Sequence, residues 1–145
     1  MVQPDTPSSP HRDEIIKTIR DILTSFDSIS AAYLYGSFLQ FDTYHDIDLG
    51  VYLKQDPCPY DRYKLGNRIG QKVEQGIHPR THVDVRILNN APVTFTYEVI
   101  STGTLLISDE STRFIEFEAT TLIRYLDMQP WFESLDRQYL ERIAG

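Results

Sequence analysis

The chain has 145 residues, with 21 acidic against 14 basic side chains, a net charge of −7 and a single cysteine, Cys58. The length suits one domain that buries about two-thirds of its unfolded surface unaided, and one cysteine excludes an internal disulfide. The acidic balance argues against direct nucleic-acid binding, which needs a basic patch to displace counterions, and no run approaches the ~20 apolar residues of a membrane span, so a soluble cytoplasmic protein is expected.

Residues 1–10, with Pro4, Pro7 and Pro10 beside Ser8 and Ser9, lack the apolar core of a signal peptide. They read as a flexible leader to a single domain over 11–145. Residues 12–26 predict an amphipathic helix through Ile15, Ile19, Ile22 and Phe26, with Asp13 and Glu14 in its first turn, where the helix dipole favours them. Residues 31–35 form a short apolar run ending at Gly36, a buried strand. Residues 46–53 alternate, Ile47, Leu49, Val51 and Leu53 on one face and Asp46, Asp48, Gly50 and Tyr52 on the other. Cys58, between Pro57 and Pro59, reads as a loop residue.

Residues 60–74 predict a helix packed through Leu65, Ile69 and Val73 and stopped near Gly76. Gly66 and Gly70, four apart, suit close packing at some cost in helix propensity. Residues 81–88 alternate again, with Val83, Val85 and Ile87 opposite His82, Asp84 and Arg86. Asn90 is a candidate cap for a helix running from Pro92 to just before Gly103. A short strand at 103–107 follows, then helices at 110–127 and 131–143 separated by Pro130. The first of these carries two apolar stripes. One faces a core; the other, with Trp131 and Phe132, is either a partner surface or buried on a second side. The order describes an α/β (α+β) domain, a small mixed sheet flanked by helices.

The chemistry concentrates in three places. A strand running into Gly36-Ser37 offers backbone N–H groups and a hydroxyl at a tight turn, which suits phosphate. Asp46 and Asp48, two apart on a strand, leave one face roughly 6–7 Å apart at their Cα atoms. Asp84 adds a third acid on another strand. Singly, each is commonplace; together they form a cluster that repels itself unless a cation offsets it. Magnesium takes one or two carboxylates plus phosphate oxygens, and two metals about 4 Å apart would bind both entering and leaving oxygens. His45 reads as a loop residue and His82 as a candidate for the rim of the site. The four histidines and one cysteine show no zinc-like spacing.

The run Tyr33-Leu34-Tyr35-Gly36-Ser37-Phe38 through Asp46-Ile47-Asp48-Leu49 resembles the nucleotidyltransferase domain of the polymerase-beta superfamily, in its minimal single-domain form. The stretch from His82 to Pro92, then Tyr97 to Leu106, resembles the region of that family's third acid. Phe114 to Pro130 resembles the last helix of the minimal antitoxins paired with HEPN-domain toxins. The resemblance implies a nucleotidyltransferase fold in which Gly36 and Ser37 bind the triphosphate and Asp46, Asp48 and Asp84 serve magnesium, Asp84 also taking the acceptor proton. It implies transfer of AMP from ATP to a hydroxyl with release of pyrophosphate. In the antitoxin branch the acceptor is a tyrosine of the HEPN ribonuclease partner.

Two features depart from the family. Eight residues separate Ser37 from Asp46, where members commonly have about ten, and Phe38-Leu39-Gln40-Phe41 stands where many carry arginine and then glycine. A missing arginine removes a bidentate phosphate contact; Lys54 and Arg86 are the candidates to replace it. An alternative stays open, in which the fold has lost catalysis and neutralises its partner by covering it. A small-molecule transferase usually needs a second domain, for which this length leaves little room.

Overall fold

The structure is a computed structural model describing residues 9–40 and 46–144. In chain order it comprises α1 (Ser9–Thr24), β1 (Ile29–Tyr35), α2 (Ser37–Gln40), β2 (Asp46–Leu53), α3 (Pro59–Gly76), β3 (His82–Ile87), α4 (Val93–Thr102), β4 (Thr104–Ser108) and α5 (Thr112–Ala144). The sheet order is β3-β2-β1-β4. β1 runs antiparallel to β2 and β4, whereas β2 and β3 are parallel, joined by the helical crossover that a parallel pair requires. This is the small mixed sheet, with helices on both faces, expected from the alternation.

The two faces follow from the period of two along each strand. Ile47, Leu49, Val51 and Leu53 of β2, with Ala32 and Leu34 of β1, are buried under α1 and α3 against Ile15, Ile19, Leu23, Ile69 and Val73. Gly70 lets α3 lie close on β3: a methyl there would stand 3.3 Å from the Val83 carbonyl oxygen, and one at Gly66 3.9 Å from that of Val85. On the other face Ala31 and Tyr33 pack with Leu88, Val99 and Phe114. Here α4 presses onto Gly50, where a side chain would meet Val99 at 3.0 Å. The first half of α5 is fastened by rings, Tyr52 stacked on Phe117 at 3.9 Å and Tyr97 on Tyr125 at 3.7 Å. The Tyr33 hydroxyl also donates to the Glu118 carboxylate at 2.6 Å.

Several boundaries differ from the sequence reading. α1 starts at Ser9, so Asp13 and Glu14 lie beyond its first turn; Pro10 is tolerated because the opening turn needs no N–H from it. The remainder of the expected leader, 1–8, lies outside the described residues. The helix closes at Thr24 because the Ser25 and Phe26 N–H groups turn back to the Ile22 and Leu23 carbonyls, a tightened i to i−3 pattern. Asn90 does not cap α4. It adopts a left-handed φ of 62°, which asparagine tolerates, and its amide donates to Asp56, leaving Pro92 at the cap position.

The two C-terminal helices are one, α5, with Pro130 inside it. An interior proline costs about 3 kcal/mol relative to alanine. It strips the partner from the carbonyl four residues earlier, but that residue, Leu126, is 51% exposed and so within reach of water. The helix starts after Glu110, whose φ of 53° cannot be helical, and Ser111 Oγ accepts the Phe114 N–H at 3.1 Å. Among the described residues no helix is long and apolar enough to cross a membrane.

Candidate active site

β1 ends at Tyr35 and the chain turns at Gly36 with φ 83°, a conformation that L side chains resist. A methyl at Gly36 would also run into the Asp48 carboxylate. Glycine is therefore required twice, by the backbone and by the acid beside it. Ser37 opens the short α2, which Phe38 anchors by complete burial in the core beneath α1 and α3. Phe38, the first residue after Gly36-Ser37, is thus a packing residue.

Register brings the acids together. Tyr35 pairs with Asp48 across β1 and β2; Asp48 pairs with Asp84, and Asp46 with His82, across β2 and β3. Neighbours in register share a face, so Asp46, Asp48 and Asp84 emerge together with Tyr35, His82 and Arg86. The Asp46 and Asp84 carboxylates are turned toward bases: His82 Nδ1 lies 3.3 Å from Asp46, and Arg86 Nε donates to Asp84 at 3.4 Å. All four side chains are substantially exposed. Asp48 is the more enclosed acid. Burial raises its pKa, the Asp84 and Asp46 charges raise it further, and Arg86 and His82 oppose them. The Tyr35 hydroxyl is pushed up to about 12, by burial first and then by Asp48 and Asp84.

Among the described residues no three His, Cys, Asp or Glu side chains stand as a ready metal cage. The donor chemistry nevertheless fits magnesium. It uses few protein carboxylates and keeps positions for water and phosphate, and here hard oxygens share an open face beside a turn that carries no side chain at Gly36. Asp46, Asp48 and Asp84 are the residues that would hold such an ion.

Of the two candidate replacement cations, Lys54 follows the far end of β2, six residues from Asp48 or roughly 20 Å along the strand, its N–H bonded to the Ser28 carbonyl. Arg86 is on the acid face. His45 lies outside the described residues. Tyr35 and Phe95, whose rings meet edge-on at 5.8 Å, border the acids as well. Sequence reasoning passed over Phe95 because nothing local links α4 to the site; it enters through packing on the sheet. A cavity of about 360 Å³ between α4 and α5, lined by Tyr52, Arg113 and Arg124, touches none of the three acids.

A family model for the polymerase beta nucleotidyltransferases matches residues 17–112, a span holding Asp46, Asp48, Asp84 and the glycine turn. Among proteins of curated function none matches the sequence. Solved structures do. A complex of tri-AMPylated Shewanella oneidensis HEPN toxin with MNT antitoxin aligns at 21% identity and TM-score 0.59, covering 90% of this chain and 97% of that one. The toxin–antitoxin MntA-HepT aligns at 19% and 0.58, covering 92% and 99%. A toxin–antitoxin structure with AMP-PNP aligns at 21% and 0.62, covering 89% and 98%. At these identities the likeness is one of fold.

Proposed function

The chain belongs to the polymerase beta nucleotidyltransferase family, and from that premise we propose that it transfers AMP from ATP to a hydroxyl of a partner protein. The observation that carries this reading is the pairing of Asp48 with Asp84 beside the side-chain-free turn at Gly36. Gly36 and Ser37 bind the triphosphate; Asp46, Asp48 and Asp84 hold magnesium. A bound magnesium ion would polarise the phosphoryl oxygens and offset the charge of the acids. The acceptor oxygen attacks the α-phosphorus, the bond to pyrophosphate breaks, and Asp84 takes the hydroxyl proton.

The acceptor we favour is a tyrosine of a HEPN-domain toxin, which makes the chain a cytoplasmic antitoxin. Two observations support it. The fold is that of chains found in complexes with HEPN toxins, one of them tri-AMPylated. The outer part of α5 also exposes Trp131, Leu135, Tyr139 and Ile143, each at least 43% accessible, more apolar surface than a lone helix ordinarily presents.

The test is incubation of the chain with labelled ATP, magnesium and its partner toxin. Label should pass to the toxin. Asp46→Asn and Asp48→Asn should each lower the rate at least about 100-fold, since metal positioning supplies several kcal/mol of transition-state stabilisation. Labelling that survives both substitutions removes the acids from their assigned roles. The eight-residue spacing from Ser37 to Asp46 and the absence of arginine from Phe38-Leu39-Gln40-Phe41 support a second reading, an inactive fold that neutralises by binding. Calorimetry that shows tight toxin binding but no heat with ATP and magnesium would select it.

A further inference from the structure

β3 is an edge strand, and it lies on the opposite side of the β2 acids from the Gly36-Ser37 turn. Turn and edge strand are two strand spacings apart, roughly 10 Å. A polyphosphate anchored at the turn and lying across Asp46 and Asp48 therefore ends against β3. Its own negative charges add to three carboxylates, more than one divalent ion offsets. Among the described groups that act on the Asp48 carboxyl, Arg86 alone is permanently cationic.

We propose that Arg86 grips the phosphate chain of the bound nucleotide from the β3 side, facing the Gly36-Ser37 turn across the acids; the inference rests on the nucleotidyltransferase reading above. The present ties of Arg86 are slight. Its Nε stands 3.4 Å from Asp84 Oδ2, its side chain is 63% exposed, and its guanidinium lies 5.9 Å from the Phe95 ring centre. An exposed pair of this kind contributes little stability, so the side chain is no structural staple. The Phe95 ring supports the planar fork, whose paired N–H groups match two phosphate oxygens. As the fork moves onto phosphate it leaves the Asp84 carboxylate free to receive the acceptor proton.

Calorimetry of the whole chain with magnesium and a non-hydrolysable ATP analogue tests this. Arg86→Ala and Arg86→Gln should weaken binding at least about tenfold. Arg86→Lys, which keeps the charge without the fork, should fall between them and the wild type. All three should melt within about 2 °C of the wild type without ligand, whereas a structural role would lower Tm and leave affinity alone. Lys54→Ala, at the far end of β2, should bind normally. If Arg86→Ala and Arg86→Gln bind like the wild type while Asp48→Asn does not bind, the Arg86 assignment fails and the nucleotidyltransferase reading stands. If the wild type itself binds no magnesium–nucleotide, both fall.

Discussion

Burial, and then the carboxylates of Asp84 and Asp46, hold the Asp48 carboxyl above its ordinary value of 3.8, so the folded chain takes up a proton there more readily than the unfolded chain does. Ionised Asp48 thus weakens the metal-free fold. The penalty is absent below the ordinary carboxylate pKa, grows as pH rises through the raised native value, and is complete above it. In EDTA, Asp48→Asn should be more stable than the wild type at neutral pH, with the gap closing as pH falls through the raised native value and gone below about 4. The gap should stay under about 1 kcal/mol because solvent screens a partly exposed group. Denaturant melts of both chains across that range measure it, and a gap that widens toward acid contradicts the account. The residue that strains the empty fold is the one the proposed chemistry needs, a familiar division at functional sites.

Gly66 and Gly70 of α3 look equivalent in the sequence and differ in space. At Gly70 a methyl would press on the Val83 carbonyl at 3.3 Å, a backbone atom with little freedom to retreat; at Gly66 the nearest atom would be 3.9 Å away. Gly66→Ala should therefore stabilise the chain by up to about 1 kcal/mol through helix propensity, and Gly70→Ala should be neutral or destabilising. Thermal melts separate the two, and equal gains would show that α3 is not seated on β3 as described. β2 and β3 were legible because each has one apolar and one polar face, and that alternation also put Asp46 beside Asp48. Asp84 joined them by motif, since strand register is non-local and no spacing reveals it. The same blindness hid the His82–Asp46 contact and the place of Phe95. Asn90 and Pro130 misled because capping and helix-breaking preferences are local, whereas the Asp56 contact and the exposure at Leu126 decide those positions.

At the scale of the whole molecule, α5 is half domain and half projection. Its buried residues, Phe114 and Thr121, lie in the first ten positions, and the stretch from 128 to 144 extends about 25 Å with Trp131, Leu135, Tyr139, Leu140 and Ile143 exposed. Removing residues after Asp127 should leave Tm within about 2–4 °C of the full chain, the equivalent of roughly 1 kcal/mol. A larger fall would mean that the projection is folded onto the domain. α4, by contrast, is clamped at two points. Val99 fills the hollow over Gly50, and a methyl at Gly103, where the helix ends, would stand 3.0 Å from the Leu34 carbonyl oxygen. A helix so seated cannot slide, and Phe95 travels nowhere without it. Whatever enters beside that wall meets a surface already in its final position, so complex formation there forfeits little motional freedom, and the loaded and empty forms should superimpose along the whole of α4.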